Sequence, residues 1–118
     1  MTKRILTVLA MVSIAAMMML SSCTAAGVEC GLIGKWEFQL NEVTDTWEFT
    51  SDDKFTHTRV STEDGITRTD TSKGTIEDVT GKALILRYAG ETNDFQLEYS
   101  ELNGDTVKIQ YITYKKVQ

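Results

Sequence analysis

From Gly34 onward, apolar and polar residues alternate with a period of two, the spacing of strands that bury one face and wet the other. "KWEFQL" sets Trp36, Phe38 and Leu40 on one face and Lys35, Glu37 and Gln39 on the other. "TWEFT" repeats this with Trp47 and Phe49, "FQLEY" with Phe95, Leu97 and Tyr99, and "TVKIQYITY" with Val107, Ile109 and Tyr111. Turn-forming residues fall between these runs: Asn41-Glu42, Ser51-Asp52-Asp53, Asp64-Gly65, Thr80-Gly81, Gly90 through Asn93, and Asn103-Gly104. No segment after Cys23 repeats at a helical period, and there is no proline to interrupt a strand. The spacing predicts strands over 34–40, 44–50, 54–61, 66–72, 74–79, 83–89, 94–101 and 106–115. Eight short strands joined by hairpin-sized turns predict an all-β domain, a small antiparallel up-and-down barrel whose closure removes the exposed edges. A β-sandwich is the alternative, but it calls for longer crossing connections than this chain has.

The first residues follow another pattern. Lys3 and Arg4 precede a mostly apolar run from Ile5 to Leu20, and small residues follow, the three-part layout of an export signal. A membrane-spanning helix needs about 20 apolar residues. This run is shorter and contains Thr7 and Ser13. Leu20-Ser21-Ser22-Cys23 resembles the lipobox of bacterial lipoproteins. That resemblance implies a diacylglycerol on the Cys23 thiol, cleavage before Cys23, and acylation of the new amine. Several acyl chains make a lasting anchor where one binds only marginally. The implied organisation is a signal peptide over 1–22, a lipidated tether over 23–32, and a barrel domain over 33–118. Thr24 follows the cysteine where an aspartate would resemble an inner-membrane retention signal, so the cell envelope location expected is the outer membrane. With only Glu29 acidic among the residues just after Cys23, the periplasmic face is expected.

Loss of residues 1–22 removes Lys3 and Arg4 and no acid, leaving ten bases against seventeen acids and a net charge of −7. Such a domain is repelled by phosphate backbones, so no nucleic-acid partner is expected. If Cys23 carries lipid, Cys30 has no second cysteine to pair with; it is then a free thiol, an intermolecular bridge, or a linker residue without a role. His57 is the only histidine, and no serine or cysteine has a recognisable base partner. Phosphate loops and paired metal-binding cysteines are missing, and the acids of Asp52-Asp53 and Glu63-Asp64 read as solvated turn residues. No enzyme, cofactor or metal is expected.

Gly34-Lys35-Trp36 at the start of the first strand resembles the Gly-x-Trp motif of lipocalins, and the order "GLIGKWEF", "WEFTSDDKF", "GTIEDVTGKALILRY", "YSELNGDTVKIQY" is similar to small lipocalin-like domains of bacterial lipoproteins. The resemblance spans about residues 31–118 and implies a barrel with Trp36 closing its floor. The chain lacks the long loop after the first strand and the C-terminal helix of full lipocalins. Where lipocalins set an arginine against the tryptophan, only Lys115 and Lys116 are present.

An eight-stranded barrel is wide enough either to be filled by side chains or to hold one small molecule. The alternation sends Trp36, Phe38, Leu40, Trp47, Phe49, Leu84, Leu86, Tyr88, Phe95, Leu97, Tyr99, Val107, Ile109 and Tyr111 inward, enough to fill much of the space. One hairpin is different. "KFTHTRVSTEDGITRTDTS", residues 54–72, carries few large apolar groups. With a two-residue turn at Asp64-Gly65, Arg59 lies opposite Asp70, Thr58 opposite Thr71 and Thr62 opposite Thr67. One face then carries Phe55, His57, Arg59, Arg68 and Asp70, and the other a row of threonines with Val60. Either face makes that part of the interior semi-polar; an exposed Arg59–Asp70 pair is the plainer alternative. Two functions remain open. One is a tethered binding module for a small hydrophobic or amphipathic molecule, with Phe38, Trp47, Phe49, Tyr88 and Tyr99 against its apolar body and His57, Arg59 or Arg68 near its polar end. The other is a solid-core lipoprotein whose outer surface meets an envelope protein.

Overall fold

The computed structural model describes residues 22–117, so the expected signal segment up to Ser21 lies outside the described residues. Eight antiparallel strands run in sequence order around a closed barrel: β1 (Gly34–Leu40), β2 (Val43–Phe49), β3 (Lys54–Glu63), β4 (Ile66–Thr80), β5 (Ala83–Tyr88), β6 (Asp94–Ser100), β7 (Thr106–Ile109) and β8 (Ile112–Lys116). The ring closes where β1 meets β8, Trp36 opposite Lys116 and Glu37 opposite Lys115. No helix among the described residues is long and apolar enough to cross a membrane.

The predicted strand count of eight is right, yet two of its boundaries are wrong in compensating ways. β4 is one strand across Lys73, where the expected strands 66–72 and 74–79 left a break, and it runs on through Gly74. Glycine is there for close approach. A Cβ on Gly74 would lie 2.0 Å from the Arg87 carbonyl oxygen and 2.7 Å from the Phe55 ring, so no side chain fits between β4 and β5. Conversely, the predicted strand 106–115 is two strands, reversed at Gln110-Tyr111, both in the left-handed region with φ of 49° and 72°. Tyr111 therefore stands on the turn, 86% exposed, and Tyr114 takes the inward place the alternation assigned to it. Val107, Ile109, Tyr111 continues an unbroken period of two, so the pattern itself hides the hairpin.

The core fills the end of the barrel nearest the N-terminal segment. Trp36, Phe49, Phe55, Leu84, Leu86, Val107 and Ile109 are buried there together with Val28 and Leu32. These last two lie in the span 23–32 expected as a tether, and both are packed into the core. A 3-10 turn over Cys30–Leu32 folds the chain under the barrel, and the Leu32 carbonyl accepts a 2.9 Å hydrogen bond from Trp36 Nε1. Trp36 closes the floor, and Lys116 Nζ lies over its ring, 5.4 Å from the centroid. Asp53 Oδ2 accepts from the Ala26 amide, and Tyr99 Oη donates to Glu29 Oε1 at 2.8 Å, so the β2–β3 turn and β6 both hold this segment in place.

Candidate functional site

At the opposite end the strands run past the core and leave an open mouth. Leu40 and Ile112 occupy inward positions, two residues beyond Phe38 and Tyr114, and yet remain 59% and 39% exposed. Phe38 is half-buried with its ring centroid 5.8 Å from that of Tyr114. Across the barrel Tyr88 stacks on Phe95 at 4.6 Å, and both meet the edge of Phe55.

Between these apolar walls sits a polar cluster built on Asp45, a residue the sequence reading passed over. Its strand position explains it. Asp45 stands opposite Phe38 on β1 and Arg59 on β3, in phase with Trp47 and Phe49, so alternation forces its carboxylate inward; it is 4% exposed. Three donors compensate its burial: Tyr114 Oη, His57 Nε2 at 2.9 and 3.0 Å from the two oxygens, and Arg59 Nε at 3.1 Å. Burial pushes against the charge, but the Tyr114 hydrogen bond, the nearby His57 and the Arg59 guanidinium outweigh it and hold the carboxyl below its ordinary value. The same contact, added to burial, raises the Tyr114 phenol well above its usual range. His57 is further fixed by face-to-face stacking on Trp47, centroids 3.9 Å apart.

The face of the 54–72 hairpin that carries Phe55, His57, Arg59, Arg68 and Asp70 is the one that turns inward, and every predicted cross-strand pair in it is present. Arg59 stands opposite Asp70 in register but reaches across to Asp45, so the exposed Arg59–Asp70 ion pair of the plainer alternative does not form; more than half of its side chain stays exposed. The eight residues expected to contact a ligand divide by depth. Phe38, His57, Arg59 and Tyr88 line the mouth, and Arg68 lies higher, on a cleft of about 240 Å³ with Ser61, Glu63, Asp64 and Ile66. Trp47 sits beneath His57. Phe49 and Tyr99 are enclosed, Tyr99 at the floor on Glu29, away from the mouth. A second cleft of about 380 Å³ opens between β4 and the end of β5, beside Ser72, Lys73 and Tyr88. Three or more potential metal ligands do not come together anywhere among the described residues.

Cys23 and Cys30 are joined in a disulfide, Cα atoms 4.8 Å apart. The Cys23 sulfur has one valence to give, so this bridge and a lipid thioether exclude each other. The turn that brings the two together is shaped by Thr24, whose Oγ1 accepts from the amides of Gly27 and Val28.

Comparison with known proteins gives the fold a precedent. The NMR structure of a protein from Bacteroides thetaiotaomicron VPI-5482 superposes with a TM-score of 0.60 at 17% identity, covering 75% of this chain and 91% of that one. At that identity the likeness concerns the fold. No family model matches the chain, and no curated protein does.

Proposed function

We propose that this protein is a lipid-anchored, lipocalin-like envelope barrel that holds one small amphipathic molecule in its mouth. The observation that carries this reading is the exposure of Leu40 and Ile112 at inward-facing positions beside the Asp45 cluster. The inward apolar residues of the lower half are covered, and an apolar wall left open next to fixed polar groups is the usual character of a ligand site. Phe38, Leu40, Ile112 and Tyr88 offer contact for an apolar body. Asp45 is occupied by its three donors, so the groups left to meet a polar end are the outer nitrogens of Arg59 and the imidazole of His57. The fitting ligand is therefore anionic or a strong acceptor, with Arg59 ahead of Arg68, which lies nearer the hairpin tip. The filled lower half favours the other reading, a solid barrel whose surface meets a partner. A thermal-shift titration of the lipid-free chain with fatty acids, bile-acid-like sterols and small aromatics separates the two. Ligand at 100 times its dissociation constant raises stability by about 2.7 kcal/mol. No shift with any class up to about 1 mM, where a ligand of micromolar affinity should stabilise by about 4 kcal/mol, leaves the solid barrel.

In this reading Cys23 carries the lipid and Cys30 stays a thiol, the bridge belonging only to chains that were never lipidated. Because Val28 is buried in the floor only five residues beyond Cys23, the anchor is short and sits at the floor end. The barrel then stands on the outer membrane with its mouth turned away. An intact mass showing an unmodified Cys23 in the native host contradicts the anchor. Cys23→Ala leaving the membrane fraction supports it.

A further inference from the structure

The β3–β4 hairpin rises beyond the rest of the barrel and leaves one side of β4 unpaired. Pairing of β4 with β5 begins only at Gly74 opposite Tyr88, whereas pairing with β3 continues to Ile66. Residues 66–73 are all exposed. Backbone groups of alternate residues point to opposite sides of a strand. Lys73 shows which set points away from β3, because its carbonyl accepts the Ala89 amide at 2.9 Å. Thr67, Thr69 and Thr71 are in the same phase, so their N–H and C=O groups form an open edge, the kind that pairs with another strand.

We propose that the occupant of this edge is the same edge of a second copy, paired antiparallel about a two-fold axis through Thr69. The charges select both the partner and the register. Arg68 and Asp70 share a face, and neither makes an ion pair within the chain among the described residues. With Thr69 opposite Thr69 of the second copy, Thr67 and Thr71 fall opposite each other with their outward backbone groups in hydrogen-bonding phase. Arg68 then faces Asp70 of the other copy, twice by symmetry. The two neighbouring in-phase registers lose this match: one sets Asp70 against Asp70, the other Arg68 against Arg68, and like charges directly opposite are destabilising. Threonines meet threonines on the outer face, a favourable cross-strand pairing. A two-fold pairing of this kind closes at a dimer, since each copy has spent its edge. The proposal rests on the free edge and its charges and is independent of any ligand in the mouth.

Cysteine cross-linking of the full chain in detergent micelles tests the register, with the parent chain under the same oxidant as control for Cys23 and Cys30. Thr69→Cys is expected to form a disulfide-linked dimer, since directly opposed Cα atoms about 5.5 Å apart lie within disulfide reach. Thr67→Cys or Thr71→Cys alone should cross-link at least tenfold less, and a mixture of the two should recover the dimer. Charge reversal tests the selection. Asp70→Arg and Arg68→Asp should each weaken dimerisation at least tenfold, and mixing the two variants should restore it. Should Asp70→Arg fail to fold by circular dichroism, the cysteine series, which leaves both charges in place, decides. A parent chain that remains monomeric up to about 1 mM overturns the proposal, as does equal cross-linking at positions 67, 69 and 71.

Discussion

Around Trp36 the barrel is filled and capped, with Val28 and Leu32 pressed in from below; above Asp45 the same strands continue with the same alternation and end in an open rim. The difference lies in what the alternation carries. In the lower half the inward positions hold Trp, Phe, Leu, Ile and Val, and burial of each stabilises by roughly 1.5–3 kcal/mol. In the upper half β3 and β4 place His57, Arg59, Ser61, Arg68 and Asp70 inward, groups that cannot be sealed away from water without partners. One periodicity thus builds a core at one end and a wet mouth at the other.

The sharpest way to break this comparison is at the floor. Trp36→Ala should destabilise the domain by about 3–5 kcal/mol, because it empties a fully buried indole site and strands the Leu32 carbonyl. Leu40→Ala, on the mouth, should change stability by less than about 0.5 kcal/mol. Urea melts compare the two. Equal costs would mean that the rim is packed as the floor is.

Gly74→Ala comes next. Its methyl group must displace either the Arg87 carbonyl or the Phe55 ring, so the expected cost is about 1–3 kcal/mol, the range for overpacking. It should also widen the gap between β4 and β5, read as faster amide exchange at Arg87 and at Ala89, whose amide bonds the Lys73 carbonyl. A neutral Gly74→Ala would mean that the two strands do not approach this closely.

Asp45 belongs to both halves, and its removal has a signature in pH. Asp45→Ala should cost about 1–3 kcal/mol by leaving the Tyr114 hydroxyl and His57 without their acceptor. Because the folded state holds the Asp45 carboxyl below its unfolded value, the unfolded chain binds more protons as acid is added. The Asp45 contribution is therefore complete above the ordinary carboxylate range and lost as pH falls through it to the lower folded value. Stability measured from pH 6 down to pH 2 should fall less steeply in Asp45→Ala than in the parent. Parallel curves would show that the carboxylate is not held by these donors.

Much of the fold was legible because alternation, turn residues and the Gly-x-Trp start agree along most of the chain, and the hairpin register at Asp64-Gly65 followed from turn chemistry alone. What stayed hidden had physical reasons. The break expected at Lys73 is absent, and the glycine beside it, Gly74, marks backbone approach, which only three-dimensional packing reveals. Gln110-Tyr111 carries no turn signature and interrupts no pattern. Asp45 was detectable in principle, since "VTDTWEF" puts an aspartate in phase with Trp47 and Phe49, an inward charge that needs partners. Its donors come from two other strands, His57 and Arg59 from β3 and Tyr114 from β8, so no local spacing announces them. Val28 and Leu32 resemble linker residues until the floor they close is known.

The measurement that bears most directly on the mouth as a binding site uses the tryptophan beneath it. In a Trp36→Phe chain Trp47 is the remaining indole, stacked under His57 and next to Asp45 in the chain's inward row. Titration with a medium-chain fatty acid and with the matching alcohol should change Trp47 emission saturably, with micromolar affinity for the acid and at least tenfold weaker affinity for the alcohol. Arg59→Ala should bring the acid down to the level of the alcohol. Emission that stays constant up to about 1 mM of every ligand, while the protein remains folded, would contradict the claim that this mouth takes an amphipathic anion.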